Sequence, residues 1–218
     1  MLDIAGLRQT SFSFRSALAE MALSIGLDPS YIAAVMAIET GRTYSPSIRN
    51  PDSGATGLIQ FMPLRNQATP GMTSVGVTTS ELARMSNVQQ LEYVKKFFRP
   101  YLSKIRPGVV GDYYLAVFMP AYIGRDPSTV LFSSGQTGYA QNSGLDRNHD
   151  GVITVGDVVG TVEGVVASAL QRPAIEVSVG ASFVAWAFGG IVATLVGMAL
   201  YTRRRDVKSL VHQYATFL

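Results

Sequence analysis

Between residues 14 and 122, apolar positions recur at helical spacing and are punctuated by Gly, Pro, Ser and Asn. "FRSALAEMALSIG" predicts a helix closing at Gly26. In "LDPSYIAAVMAIETG", Asp28 is placed to cap the next helix, Pro29 to fill its first position, and Gly41 to stop it. "TTSELARMSNVQQLEYVKKFFRPYLSKI" predicts helical material broken near Ser86–Asn87, and "VVGDYYLAVFMPAYIG" a helix ended or kinked at Pro120. No stretch of six residues alternates convincingly with period two, so the expected fold class is mainly α. The pattern divides the chain at about residue 142. Residues 143–172 carry a compact acidic loop and a helix, 173–202 an apolar run, and 203–218 a basic tail.

Composition sharpens the picture at the C-terminal end. Hydrophobic residues make up 47% of the 218 and charged residues only 15%. The net charge of +3 owes much to "TRRRDVK" at 202–208, which leaves no basic stripe suited to nucleic acid. Val177 to Thr202 holds no charged residue over 26 positions, more than the roughly 20 that cross a bilayer. A transmembrane helix is therefore expected over 173–202, with Trp186 inside it and Tyr201 at its boundary. The basic cluster Arg203–Arg205 predicts a cytoplasmic C-terminus. Gly189, Ala193 and Gly197 recur every four residues, a small-residue face that suits a homo-oligomer; a monomer facing lipid is the alternative. The absence of cysteine excludes disulfides and thiolate metal sites. "MLDIAGLRQTSFSFRSALAEM" lacks a basic region followed by an apolar one, so no secretory signal peptide is expected there.

Candidate chemistry begins with one glutamate. On a helix over Pro29–Thr40, Ile32, Val35, Met36 and Glu39 share a stripe, so Glu39 continues the buried face. It also lies in the last turn, where the helix dipole disfavours a carboxylate. Burial and dipole both raise a carboxyl pKa, as a general acid requires. A solvated glutamate at the border of the stripe is the alternative. "SGATGLIQFMP" follows, with two glycines three apart and then Gln60, a turn suited to lining a groove.

"ETGR" at Glu39 and "SGATGLIQ" from Ser53 to Gln60 together resemble the lytic transglycosylases of the soluble-lytic and goose-type-lysozyme kind. The first motif of that family is a Glu at a helix end, followed by Gly; the second is G-L-M-Q, here "GLIQ" with Ile59 in place of Met. The resemblance covers about residues 20–142 and implies a lysozyme-like helical domain. It implies cleavage of the β-1,4 bond between N-acetylmuramic acid and N-acetylglucosamine in peptidoglycan. It makes Glu39 the acid and then the base, and sets Ser53 and Gln60 along the groove. The third family motif, A-Y-N-A-G, falls at "PAYIGRD", where Tyr122 matches and Ile123 replaces Asn. A late tyrosine of the family pattern matches Tyr139. Tyr122 and Tyr139 are thus candidate substrate-binding residues, with core aromatics as the alternative. Ordinary glycosidases use two carboxylates. This family needs one, because the 6-hydroxyl of the sugar attacks and closes an anhydro ring. Hydrolysis assisted by Asp52 is the other option, although Asp before Ser-Gly also serves to cap a turn.

"DRNHDGVITVGD", Asp146 to Asp157, matches the calcium-loop pattern. Asp146, Asn148 and Asp150 take positions 1, 3 and 5, Gly151 the turn, Val152 the carbonyl position, Thr154 position 9 and Asp157 position 12. A structural Ca2+ is the expected cofactor, held by Asp146, Asn148, Asp150, Val152 and Asp157. His149 is expected to point outward. An Asx-rich turn without metal is the alternative.

Wall-cleaving motifs, a calcium loop and a membrane span without an export signal suggest delivery from outside the cell. The architecture resembles that of peptidoglycan-degrading phage virion proteins. The expected partners are glycan strands, the lipid bilayer, further copies of the chain and other virion proteins. The expected location is the virion and then the host envelope. Two alternatives stand beside this reading: a non-catalytic ejection protein forming a membrane conduit, and a cellular wall-remodelling enzyme.

Overall fold

The computed structural model describes residues 1–180, and Met1–Val179 form one compact unit. Seven α-helices lie within it: α1 Phe12–Leu23, α2 Pro29–Glu39, α3 Thr79–Leu82, α4 Asn87–Phe98, α5 Val110–Phe118, α6 Thr137–Asn142 and α7 Val155–Leu170. β1 (Val130–Ser133) and β2 (Val152–Thr154) pair antiparallel, with Phe132 opposite Ile153. The mainly α class is therefore correct. The small sheet escaped the sequence pattern because strands of three and four residues are too short to display alternation.

Local chemistry sets the helix ends. Asp28 accepts the Ser30 N–H at 2.7 Å and Pro29 opens α2. Ser86 and Gln89 form a reciprocal capping box at the start of α4, which makes the break before Asn87. α5 ends at Phe118, and Pro120–Tyr122 continue as a 3-10 turn.

α2 is the central element. Its expected one-sided stripe is in fact burial on nearly all sides: Ser30 and Ile32 to Ala37 are all buried. α1, α5 and α7 each pack against it, so an Ala-rich surface meets a neighbour in every direction. α7 in turn packs closely on α5, where a methyl added at Gly111 would lie 2.7 Å from the Val159 side chain. Ile153, Val155, Val158 and Val162 belong to the same core as α2.

After α7 the chain folds back along the N-terminal segment. The Ile175 N–H donates to the Met1 carbonyl at 2.9 Å, and the Met1 amine to the Ile175 carbonyl at 3.3 Å. Arg172 reaches the Asp3 carbonyl, and the Ser178 N–H donates to Ser16 Oγ at 3.0 Å. Residues 173–180 are not helical, so the first part of the expected 173–202 helix is a strap instead. Hydrogen bonds to the N-terminal segment hold it extended. Among the described residues no helix is long and apolar enough to cross a membrane. The remainder of that span, with Trp186, Gly189, Ala193, Gly197 and Tyr201, and the basic tail lie outside the described residues.

Candidate active site

Glu39 is the last residue of α2. The chain leaves the helix through a Schellman motif. The Arg42 N–H donates to the Ala37 carbonyl at 2.7 Å and the Gly41 N–H to the Ile38 carbonyl at 3.3 Å, with Gly41 at φ +56°. Buried Thr40 locks this end: its Oγ1 donates to the Met36 carbonyl at 2.6 Å and accepts the Tyr44 N–H at 3.0 Å. Tyr44 then turns back, at φ +52°, and its buried hydroxyl donates to the Ala33 carbonyl at 3.1 Å. The carbonyls of the last turn are thereby occupied, and the Glu39 carboxyl is left with no hydrogen-bond partner among the described residues. Its side chain is half-buried, and burial pushes its pKa up to about 7. The carboxyl is thus poised near neutrality.

Tyr114 of α5, which the sequence reading passed over, lies within electrostatic reach of Glu39. Burial and then the charge of Glu39 push its phenol up. Its ring is buried and stacks on Phe118 at 6.0 Å. A tyrosine inside an apolar helix was the available signal.

The turn carrying "GLIQ" is held from below by a second residue the sequence reading missed. Gln90, fully buried on α4, accepts the Leu58 N–H at 3.0 Å and donates to the Pro46 and Leu82 carbonyls, both at 2.7 Å. Gly57, at φ +87°, is needed here, because an added Cβ would lie 2.4 Å from Gln90 Oε1. Gln90, Val94 and Phe98 are four residues apart on one buried face, so a buried amide was readable from the spacing. Gln60 stands at the tip of this turn with φ +49° and donates from Nε2 to the Gly57 carbonyl at 3.1 Å and the Ile48 carbonyl at 3.4 Å. Its Oε1 takes no hydrogen bond from a described residue.

Ser53 lies on a separate, exposed turn, where its Oγ accepts the Ala55 N–H at 3.2 Å. Asp52 does not cap that turn. Asn50 does, its Oδ1 accepting the N–H groups of Asp52 and Ser53 at 2.9 and 3.0 Å. Asn50 precedes both amides and reaches forward to them, the usual direction of an Asx turn. Tyr122 is half-buried in the 3-10 turn after α5, beside half-buried Ile123. No hydrogen bond joins Glu39 to Ser53, Gln60, Tyr122 or Tyr139.

Tyr139, on α6, is instead committed to the acidic loop, its hydroxyl donating to Asp146 Oδ2 at 2.7 Å. The same oxygen accepts the Gly151 N–H at 3.0 Å, and these bonds hold Asp146 below the usual carboxylate range. Gly151, at φ +82°, makes the sharp turn, and His149 is exposed. Asp150 accepts the Val152 N–H and the Asn148 amide, both at 2.8 Å. Asp157 lies apart: its Oδ2 accepts from Thr154 N and Oγ1 at 2.9 and 2.6 Å, a capping box that starts α7. The loop has the sharp turn of the calcium pattern, and the oxygens of Asp146, Asn148 and Asp150 accept loop N–H groups and the Asn148 amide. Asp157 has one carboxylate oxygen taken by the helix start. Among the described residues no three acidic or histidine side chains form a group that could hold a metal.

Asp112 provides a contrast to Glu39. It is 1% exposed, but Arg106 meets it with Nε and Nη2, both at 2.8 Å, and with its backbone N–H at 2.9 Å. Burial pushes the carboxyl up, and the Arg106 bonds and charge with the Gly124 N–H outweigh it and hold it low. It is a structural tie, whereas no described residue hydrogen-bonds the Glu39 carboxyl. No family model, curated protein or solved structure matches the chain.

Proposed function

We propose that the chain is a peptidoglycan lytic transglycosylase of lysozyme-like type with Glu39 as its single acid and base. The observation that carries the reading is a partner-free carboxyl at the end of α2 whose pKa burial pushes up to about 7. The protonated carboxyl gives its proton to the oxygen joining C1 of N-acetylmuramic acid to N-acetylglucosamine, and the C1–O bond breaks. The carboxylate then takes the proton of the muramic 6-hydroxyl as that oxygen bonds to C1. An anhydro ring closes, the glucosamine leaves with its hydroxyl restored, and no water is consumed. Gln60, with its free amide oxygen, and Ser53 contact the sugar. Tyr122 contacts the sugar as well.

Asp146, Asn148 and Asp150, the Val152 carbonyl and one oxygen of Asp157 hold a structural Ca2+. It steadies the start of α7, which packs on α2 and α5. Residues 181–202 anchor the chain in a bilayer, and the protein acts from a phage virion on the host envelope. The apolar run at Val177–Thr202 and its following arginines support this placement.

The test is digestion of purified peptidoglycan by the detergent-solubilised full chain, wild type beside Glu39→Gln, with calcium present. The proposal expects anhydromuropeptides from wild type and none from the variant. Reducing-end muramic products would mean hydrolysis. No release from a folded wild type would leave a non-catalytic ejection role, which the Ile123 departure favours.

A further inference from the structure

Residues 48–50 are bonded to both turns that the proposed function sets against the sugar. The Ile48 carbonyl accepts the Gly57 N–H at 2.9 Å and Gln60 Nε2 at 3.4 Å. The Asn50 carbonyl accepts the Gly54 N–H at 2.9 Å, and the Asn50 N–H donates to the Ala55 carbonyl at 2.9 Å. Arg49 sits between these two attachments and pairs with Thr56 in an isolated antiparallel bridge. Thr56 is fully buried, so the backbone that carries Arg49 is anchored.

The Arg49 side chain reaches the Ser53 turn. Gly54, next to Ser53, has φ +73°. A Cβ built there would lie 3.4 Å from Arg49 Nη2 and 3.6 Å from Pro63 Cγ. The guanidinium thus rests on the bare face of Gly54, with the Pro63 ring against the same face. A guanidinium carries five donors and a fixed charge and accepts no hydrogen bond. Arg8 and Arg106 commit theirs to Asp3 and Asp112, at 2.9 and 2.8 Å. Arg49 is exposed and has no ion pair or hydrogen bond from its side chain among the described residues, although Asp52 follows in the same turn. An unpaired guanidinium on an anchored turn suits a planar oxyanion from outside the chain, gripped by two parallel bonds.

The two sugars of the glycan strand differ in this respect. N-acetylglucosamine carries no anionic group. N-acetylmuramic acid carries the carboxyl of a lactyl ether on its C3 oxygen, and a stem peptide joined there brings carboxylates of its own.

We infer that Arg49 binds a carboxylate on the C3 substituent of muramic acid, so that the site prefers muramic-acid strands to neutral chains of N-acetylglucosamine. The inference rests on the reading of Ser53 and Gln60 as sugar contacts. Arg49 acts in binding and specificity and takes no part in the proton transfers.

The experiment measures binding by calorimetry to the detergent-solubilised full chain carrying Glu39→Gln, so that nothing is cleaved. The probes are a tetrasaccharide of alternating N-acetylglucosamine and N-acetylmuramic acid with free lactyl carboxylates, the same sugar with L-alanyl-D-isoglutamine joined to each lactyl group, and neutral chitotetraose. Adding Arg49→Gln should weaken a carboxylate probe about tenfold and leave chitotetraose unchanged. Arg49→Lys, which keeps the charge and loses the fork, should fall between. Loss with the free lactyl probe places the contact on the lactyl group, and loss with the peptide probe alone places it on the peptide. Equal loss for all three probes, loss for none, or no binding of any probe before Arg49 is changed overturns the inference. If the chain with Glu39 intact releases no anhydromuropeptides and a carboxylate probe still binds through Arg49, the carboxylate site stands and the enzyme reading falls. If it releases them and Arg49→Gln binds every probe as before, the enzyme reading stands without Arg49.

Discussion

Replacing Glu39 with Gln should stabilise the protein at alkaline pH and leave it nearly unchanged at acid pH. The carboxyl titrates at about 7 in the folded chain, against 4.5 for an unperturbed glutamate. Between those values the folded chain keeps a proton that the unfolded chain has released, so stability falls as pH rises through the window. Below 4.5 both states are protonated and the carboxyl has no effect. Above 7 the folded chain bears a poorly solvated charge. At about 1.36 kcal/mol per pH unit the gap amounts to about 3 kcal/mol. Solvent contact of this half-buried side chain reduces the expected effect to about 2 kcal/mol. For a domain of this size that is a rise of roughly 4–8 °C in Tm. The assay is urea unfolding of both proteins at pH 4.5 and pH 8. An equal difference at the two pH values would refute the argument, because an isosteric amide differs from the carboxyl chiefly in that it cannot ionise. The gain in stability should accompany loss of any cleavage, as at sites where function opposes stability.

Three further predictions concern the scaffold around the site. Gln90→Leu should lower stability by about 3 kcal/mol, since three backbone groups, two buried and one partly so, lose their partner; urea unfolding within 0.5 kcal/mol of wild type would show that the turn stands without it. Gly6→Ala should destabilise by about 2–4 kcal/mol, because its Cβ would lie 1.8 Å from the Arg42 carbonyl oxygen at a φ of +83°. Proton-exchange protection at Arg42 and Tyr44 should fall in the same variant, and unchanged protection would sink the steric argument. Calcium at about ten times its Kd should stabilise wild type by about 1.4 kcal/mol and leave Asp146→Asn less affected; identical melting with calcium and with chelator would count against the metal.

The sequence disclosed the features that depend on neighbours along the chain. Asp28, Pro29 and Gly41 bound α2, and Ser86 bounds α4, through bonds spanning two or three residues. The position of Glu39 at a buried helix end followed from the same spacing. Features set by distant segments were less accessible. Tyr114 is 75 positions from Glu39 in sequence, and only the packing of α5 on α2 joins them. Tyr139 matched a sugar-binding pattern, whereas its hydroxyl lies on Asp146. Asp157 fitted the calcium spacing, although the start of α7 draws on the same carboxylate.

The strap at 173–180 has a mechanical consequence. Tension applied to the chain at residue 180 enters the domain beside Met1 and Ser16, where the paired backbone bonds of Ile175 and the Ser178–Ser16 bond receive it. Those attachments lie on the N-terminal segment and α1. A tug from that direction is therefore grounded at the domain's edge, and would have to peel the strap away before it strained the junction of α2 and α5 where Glu39 sits.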